Sequence, residues 1–352
     1  MKKWKYISFL LAIVFVASIA FAGGAKKPAE EKKVEKKVEK PEKVAKPAVM
    51  KSLKIGYVTM MMAADSNNRA YNAFKSIAHK KGWKVFLTDS AGDIVKMSEG
   101  ITNYVAQKVD VIVVVCGEIE PIKGGLEAAK KANIPVFSMD TGVDREGVVV
   151  MNATSNCWSM GALVASHIVD RLHGEGNVCI IGMPTLYVHR YRVDTAKAVF
   201  NSADNPGIKI LAEEAVTVAN WEKGSYDIMR NWITKYGNKI DAVFGTWDGI
   251  GWGCSKAIAD AGFTKKDMFV MSIDGTVQTY DMIRKGEPFV GVVAQNFEGW
   301  SKVTADAIDK IVVQGKPASS IVPESRIVYV PYKWIDSTNV PPAGASAGSV
   351  FK

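Results

Sequence analysis

The sequence is short of the residues on which most catalytic chemistry depends. Its 352 residues include 4 histidines and 4 cysteines, and none of the cysteines has metal-ligand spacing. There is no P-loop, no GxGxxG after a strand-like run and no Ser/His/Asp set, so nucleotide-dependent and triad chemistries have no motif to stand on. Cysteine is also too sparse for a disulfide scaffold. Cys116 ends VIVVV and Cys179 lies inside NVCII, where thiols read as small buried apolar side chains. His189 has no ligand-spaced partner, so neither a metal nor a cofactor is expected.

Positive charge is missing where a nucleic-acid partner would need it. The formal net charge is +9, yet residues 1–54 hold 14 lysines against 5 glutamates and account for all of it. From Ile55 onward 31 basic residues face 31 acidic ones. The globular part is therefore neutral, and no polyanionic partner is implied.

The N-terminus reads as an export signal. Lys2, Lys3 and Lys5 precede an apolar stretch from Ile7 to Phe21, and Ala20-Phe21-Ala22 fits a small-residue cleavage pattern. An uncleaved anchor remains an alternative, although the run is shorter than the roughly 20 residues of a spanning helix. No cysteine follows it, so a lipid anchor has no support. Residues 23–52 are rich in Lys, Glu and Pro with almost nothing large and apolar, which predicts a solvated linker. The expected location is the periplasm or cell exterior, with or without a tether.

The remaining stretch of nearly 300 residues exceeds the size at which one core stops growing, so two lobes are expected. Short apolar runs alternate with amphipathic stretches, the signature of βαβ units on parallel sheets. Strands are predicted at 53–59, 83–88, 110–116, 134–139 and 147–152, then at 177–183, 208–216, 240–247, 268–274 and 289–296. Helices are predicted at 68–81, 94–108, 119–132, 157–172, 190–203, 222–236, 250–261, 277–285 and 298–314. The last helix follows the second set of strands, so the chain crosses back to the first lobe and then returns. The organisation is thus a signal at 1–22, a linker at 23–52, an N-terminal lobe at 53–153 plus 297–323, a C-terminal lobe at 154–296 plus 324–340, and a tail at 341–352.

Asp140, Asp274 and Gln295 end apolar runs in VFSMD, FVMSID and VVAQN, and Arg192 follows CIIGM. In open parallel sheets ligands bind at the carboxyl ends of strands, so these four polar groups point at one crevice. A sugar presents hydroxyls around its edge and C–H groups on its faces, and its pocket pairs carboxylates and amides with an aromatic plate. Trp221 is the candidate plate.

These features resemble the type I periplasmic solute-binding proteins, in particular the simple-sugar branch with ribose-binding and glucose/galactose-binding proteins. KIGYVTMMMAADSNNRAYNAFKSIA, ANIPVFSMDTGV, HRYRVDTAKAVF, VANWEKGSYDIMRNWI, DAVFGTWDGIGWG, FVMSIDG and GVVAQN carry the resemblance across roughly 53–332. It implies an α/β fold of two Rossmann-like lobes with parallel sheets joined by a three-strand hinge. It further implies that Asn68 and Tyr71 line the first lobe's side of the cleft, that Asp140 accepts hydrogen bonds from ligand hydroxyls, and that Thr154 and Asn156 stand near the first hinge crossing. Arg192 matches a ligand-binding arginine, Trp221 a stacking tryptophan, and Asp274 and Gln295 the acid and amide that complete the site. Trp247 stands where the family usually carries Asn, and Thr141 where the ribose branch carries Arg. Thr141 leaves a ribose-type clamp incomplete and so points away from ribose, while the bulk of Trp247 points towards a more apolar or differently shaped ligand such as a deoxy sugar, a polyol, a furanone-like signal or a nucleoside.

The function so implied is that of the solute-binding component of an ABC importer, a monomer that presents its ligand to a permease in the inner membrane. A receptor role towards a chemoreceptor or sensor kinase is a second reading. A glycoside-cleaving enzyme is a third, because two acids across a cleft could act as general acid and base. A charged sugar acid would need a second cation, for which only Arg69 and Arg190 are candidates.

Overall fold

The computed structural model describes residues 52–352. The expected signal and all but the last residue of the expected linker lie outside the described residues.

Two six-stranded sheets organise the chain. The first contains β1 (Lys54–Thr59), β2 (Lys84–Asp89), β3 (Val111–Val115), β4 (Val136–Met139), β5 (Val149–Thr154) and β11 (Ile327–Tyr329), in the order β11-β5-β4-β3-β1-β2. The second contains β6 (Glu175–Gly182), β7 (Gly207–Ala215), β8 (Ala242–Gly245), β9 (Phe269–Asp274), β10 (Phe289–Ala294) and β12 (Lys333–Asp336), in the order β12-β10-β9-β8-β6-β7. Every pairing is parallel except that of β12 with β10. The central strands are apolar on both faces, as in the fully buried VIVVV of β3, because helices cover both sides of such sheets.

The first lobe carries α1 (Asp65–Lys80), α2 (Ile94–Ala106), α3 (Lys123–Lys131) and α9 (Phe297–Ile308). The second carries α4 (Cys157–Arg171), α5 (Tyr187–Phe200), α6 (Trp221–Tyr236), α7 (Asp248–Asp260) and α8 (Val277–Lys285). Two helices begin three residues before their expected starts, α1 at Asp65 and α5 at Tyr187. Both shifts matter for the site.

The chain passes between the lobes three times, from β5 into α4, from β10 into α9, and from β11 into β12. Asparagines mark the first two passages: the side chain of Asn156 accepts from the Ser159 amide and that of Asn296 from the Gly299 amide, each capping the helix just beyond it. The third passage falls later than the 323/324 boundary read from sequence. The run 327–329 completes the edge of the first sheet, held by Asn152 N donating to Arg326 O and Val330 N to Thr154 O, and the chain leaves only then. Nor do residues 341–352 trail free of the second lobe. Ala347 is buried with its core, and Arg284 Nη1 donates to the Pro341 carbonyl at 2.6 Å.

Candidate functional site

The carboxyl ends of both sheets face each other across a cavity of about 70 Å³. Cys116 follows β3, Asp140 follows β4, Asp274 ends β9 and Gln295 follows β10, and all four line this space. Three of them, Cys116, Asp140 and Asp274, have φ of +54°, +56° and +131°, a region that side-chain-bearing residues seldom enter. Such strain is typical of ligand clamps, at about 1–3 kcal/mol per residue.

The two acids are buried alike, each 5% exposed, but differ in company. Asp140 Oδ1 accepts from Thr154 Oγ1 at 2.6 Å and from the Tyr187 hydroxyl, which belongs to the other lobe, at 2.8 Å. Asp274 Oδ1 accepts from Gln295 Nε2 at 2.7 Å and lies 3.6 Å from Arg192 Nη2. Burial raises both carboxyls from the ordinary range, against the opposing pull of Arg192, and Asp274 reaches about 6. Behind the site, burial and then the charge of Asp274 push Asp248 up to about 7. Arg192 is 2% exposed and anchors its Nη1 on the Thr246 carbonyl at 2.7 Å. Its helix reaches this position because α5 packs tightly on α4: a Cβ on Gly161 would fall 2.7 Å from Cα of Arg192.

Three residues of the lining retain a buried polar atom without a protein partner: Asn67 Oδ1, Arg192 Nε and Gln295 Oε1. An unpaired buried polar group costs about 1–3 kcal/mol, so a ligand rich in hydrogen-bonding groups is the natural complement. An anion is not. The cavity holds two acids and one arginine, and the other candidate cations are engaged elsewhere. Arg69 forms a forked pair with Glu298, at 2.9 Å on both bonds, and donates to the Gly275 carbonyl; Arg190 pairs with Glu118 at 3.2 Å.

Of the residues singled out from sequence, Asp140, Arg192, Trp247, Asp274 and Gln295 meet at the cavity. Thr154 stands directly behind, as a donor to Asp140, and Asn156 serves as the helix cap. Three fall elsewhere. Asn68 is exposed and bonds to Asn72, because neighbouring residues of α1 point about 100° apart and it is Asn67 that faces the cavity. Tyr71 packs in the first-lobe core with its ring 5.2 Å from that of Tyr57. Trp221 packs against Trp247, ring centroids 4.7 Å apart, and of these two tryptophans it is Trp247 that lines the cavity.

Sequence reading missed Asn67, Tyr187, His189 and Phe297 as lining residues. The first turns of α1, α5 and α9 supply them, and an acid at Asp65 was the signal for the earlier start of α1. His189 shares its Nδ1 with Thr246 Oγ1 at 2.6 Å, and burial, with Arg192 and Arg190 beside it, holds its pKa well below the usual value. It is a neutral hydrogen-bonding group. The half-buried Cys116 is kept a thiol by burial, which raises its pKa far above the ordinary value. Among the described residues, no group of three or more His, Cys, Asp or Glu side chains is placed to hold a metal.

Comparison with known proteins places the chain in a family. Residues 55–317 match the family described as periplasmic binding protein domain. A xylitol-binding protein of Mycolicibacterium smegmatis is 27% identical over 209 residues, 58% of this chain and 56% of that protein. A ribose import binding protein of Bacillus subtilis is 25% identical over 242 residues, 67% of this chain and 73% of its own. Among solved structures, an ABC transporter solute-binding protein from Agrobacterium vitis with bound allitol superposes with a TM-score of 0.74 at 25% identity, covering 83% of this chain and 97% of the other.

Proposed function

The chain belongs to the periplasmic binding protein domain family, and from that premise we propose that it is the exported solute-binding component of an ABC importer, capturing a monosaccharide or polyol between its lobes. The observation that carries this reading is the meeting of Asp140 from one lobe with Asp274, Gln295 and Arg192 from the other lobe and the hinge, around one buried space. Carboxylates and an amide accept from ligand hydroxyls, Arg192 donates to ring or hydroxyl oxygens, and Trp247 offers a face to C–H groups. A ligand that touches both lobes binds the closed state more tightly than the open one and so shifts the population towards closure. The closed form then docks on the permease in the inner membrane. Similarity to proteins named for xylitol and ribose, and to one holding allitol, favours a neutral polyhydroxylated ligand.

The protein is read as a binder rather than an enzyme. Asp140 and Asp274 are both engaged in hydrogen bonds that hold them as acceptors, from Thr154 and Tyr187 in one case and from Gln295 in the other. A thermal-shift screen of pentoses, hexoses, polyols, sugar acids, nucleosides and amino acids tests the assignment. A ligand at 100 times its Kd adds about 2.7 kcal/mol to stability, which is readily seen. Shifts are expected for neutral polyhydroxylated compounds, with the compound recovered unchanged after incubation with excess protein. Shifts for amino acids alone would overturn the reading.

A further inference from the structure

The cavity is polar at one end and apolar at the other. Asp140, Asp274, Gln295 and Arg192 gather beside the hinge passages, where Thr154 bonds to Asp140 and Gln295 itself lies in the second passage. The other wall is built from Met61 and Ala64, in the segment that leads into α1, together with Met183, Leu186, Val218 and Trp247 of the second lobe. These six side chains belong to a single hydrophobic cluster that runs from one lobe to the other. Met183 and Trp247 are almost fully buried although they line the space.

A fully hydroxylated sugar fits such a wall poorly. Each hydroxyl turned against these six side chains loses its water, and beside them only Asn67, held on the Met61 carbonyl, offers an unpaired oxygen, so every further hydroxyl there costs about 1–3 kcal/mol. An alkyl or alkylthio group gains there instead, and two methionine thioethers give the wall the deformability to fit an irregular substituent.

We propose that the ligand is a neutral sugar or polyol carrying a small apolar substituent, seated against the Met61, Met183, Leu186 and Trp247 wall with its hydroxyls towards Asp140 and Asp274. This rests on the sugar-or-polyol reading and adds to it the chemistry of the ligand's second end. An anionic substituent would find no free cation, because Arg69 and Arg190 are already paired with Glu298 and Glu118, and a charge of either sign would be desolvated against the apolar wall.

The test is a matched series read by titration calorimetry with the full chain: D-ribose, D-xylose and L-arabinose, each beside its 5-deoxy and 5-methylthio derivatives. At least one methylthio compound is expected to bind about tenfold more tightly than its parent, the discrimination that one or two extra carbon-sized groups produce in an apolar pocket. In Leu186→Asn and in Met61→Gln that ratio is expected to fall below about threefold, while thermal denaturation checks that each variant is folded. Parents that bind as tightly as their derivatives would overturn the apolar end and leave the sugar reading standing. So would a ratio unchanged in both folded variants. A series in which no member binds and no polyol binds would bring down the sugar reading, and this proposal with it.

Discussion

Five strands of each sheet follow the same order, yet the sixth runs parallel in the first lobe, where β11 joins β5, and antiparallel in the second, where β12 joins β10. The acids diverge further than the sheets do. Asp140 of the first lobe has hydroxyl donors for neighbours, whereas Asp274 of the second sits beside Arg192 and Gln295. A repeated βαβ plan fixes where side chains converge, at the strand ends, and leaves open which charges converge there. The first lobe brings an acid whose charge no buried cation on its own side offsets; the second brings the arginine. In this structure the balance is reached across the cleft.

Removing the acids one at a time tests that asymmetry most forcefully. Asp140→Ala and Asp274→Ala are each expected to weaken sugar or polyol binding by about 2–4 kcal/mol, since each leaves buried hydroxyls unmet. Both variants should remain folded, because neither carboxylate contributes to the apolar core. Calorimetry that finds one acid dispensable would show that a single lobe supplies the recognition, and unchanged affinity in both would remove them from the site.

A smaller effect is expected from the packing that delivers Arg192. Gly161→Ala drives a methyl group against the Arg192 backbone, and overpacking of this kind costs about 1–3 kcal/mol. Its melting temperature should fall and its ligand affinity with it, because α5 carries both Arg192 and Tyr187. A variant with native stability would mean that α4 and α5 separate freely and that the second lobe does not hold its arginine by packing.

The smallest effect concerns pH. Burial raises the carboxyls of Asp140 and Asp274, so the folded chain holds these protons more tightly than the unfolded one. Their contribution to stability is full below pH about 4 and is lost as pH rises through the raised values, about 6 for Asp274. Ligand binding should run the other way, weakening as pH falls from 7 to 5 and the acceptors are protonated. The shift in each is on the order of 1 kcal/mol. Denaturation and calorimetry at pH 5, 6 and 7 check the two signs. Affinity that is flat across this range would place the acids outside the ligand's reach.

Much of the fold was legible because period and punctuation agree: β3 reads VIVVV and is buried throughout, and β9 reads FVMSID and ends on the acid that lines the cleft. Asp140, Arg192, Asp274 and Gln295 were legible for the same reason, since each is tied to the end of a strand or the start of a helix. What escaped was rotation. An α-helix turns by about 100° per residue, so the adjacent Asn67 and Asn68 face different ways and the resemblance picked the outward one, while an expected start at 190 left Tyr187 and His189 outside α5. The order of Trp221 and Trp247 escaped for another reason. Two large rings at the mouths of neighbouring helices meet at a tilt of 56°, and only packing decides which of them faces the cavity. β12 was missed because a four-residue edge strand carries too little pattern to register.

The three passages between lobes also decide where the described chain ends. Lys54 opens β1 of the first lobe, while the closing turn, Ala347–Phe351, is packed into the core of the second. An odd number of passages puts the two extremities on opposite halves of the hinge. Both Lys54 and Lys352 are exposed, so a donor and an acceptor dye placed there would ride on different bodies. Their separation becomes a direct gauge of cleft angle, readable in single molecules while ligand comes and goes.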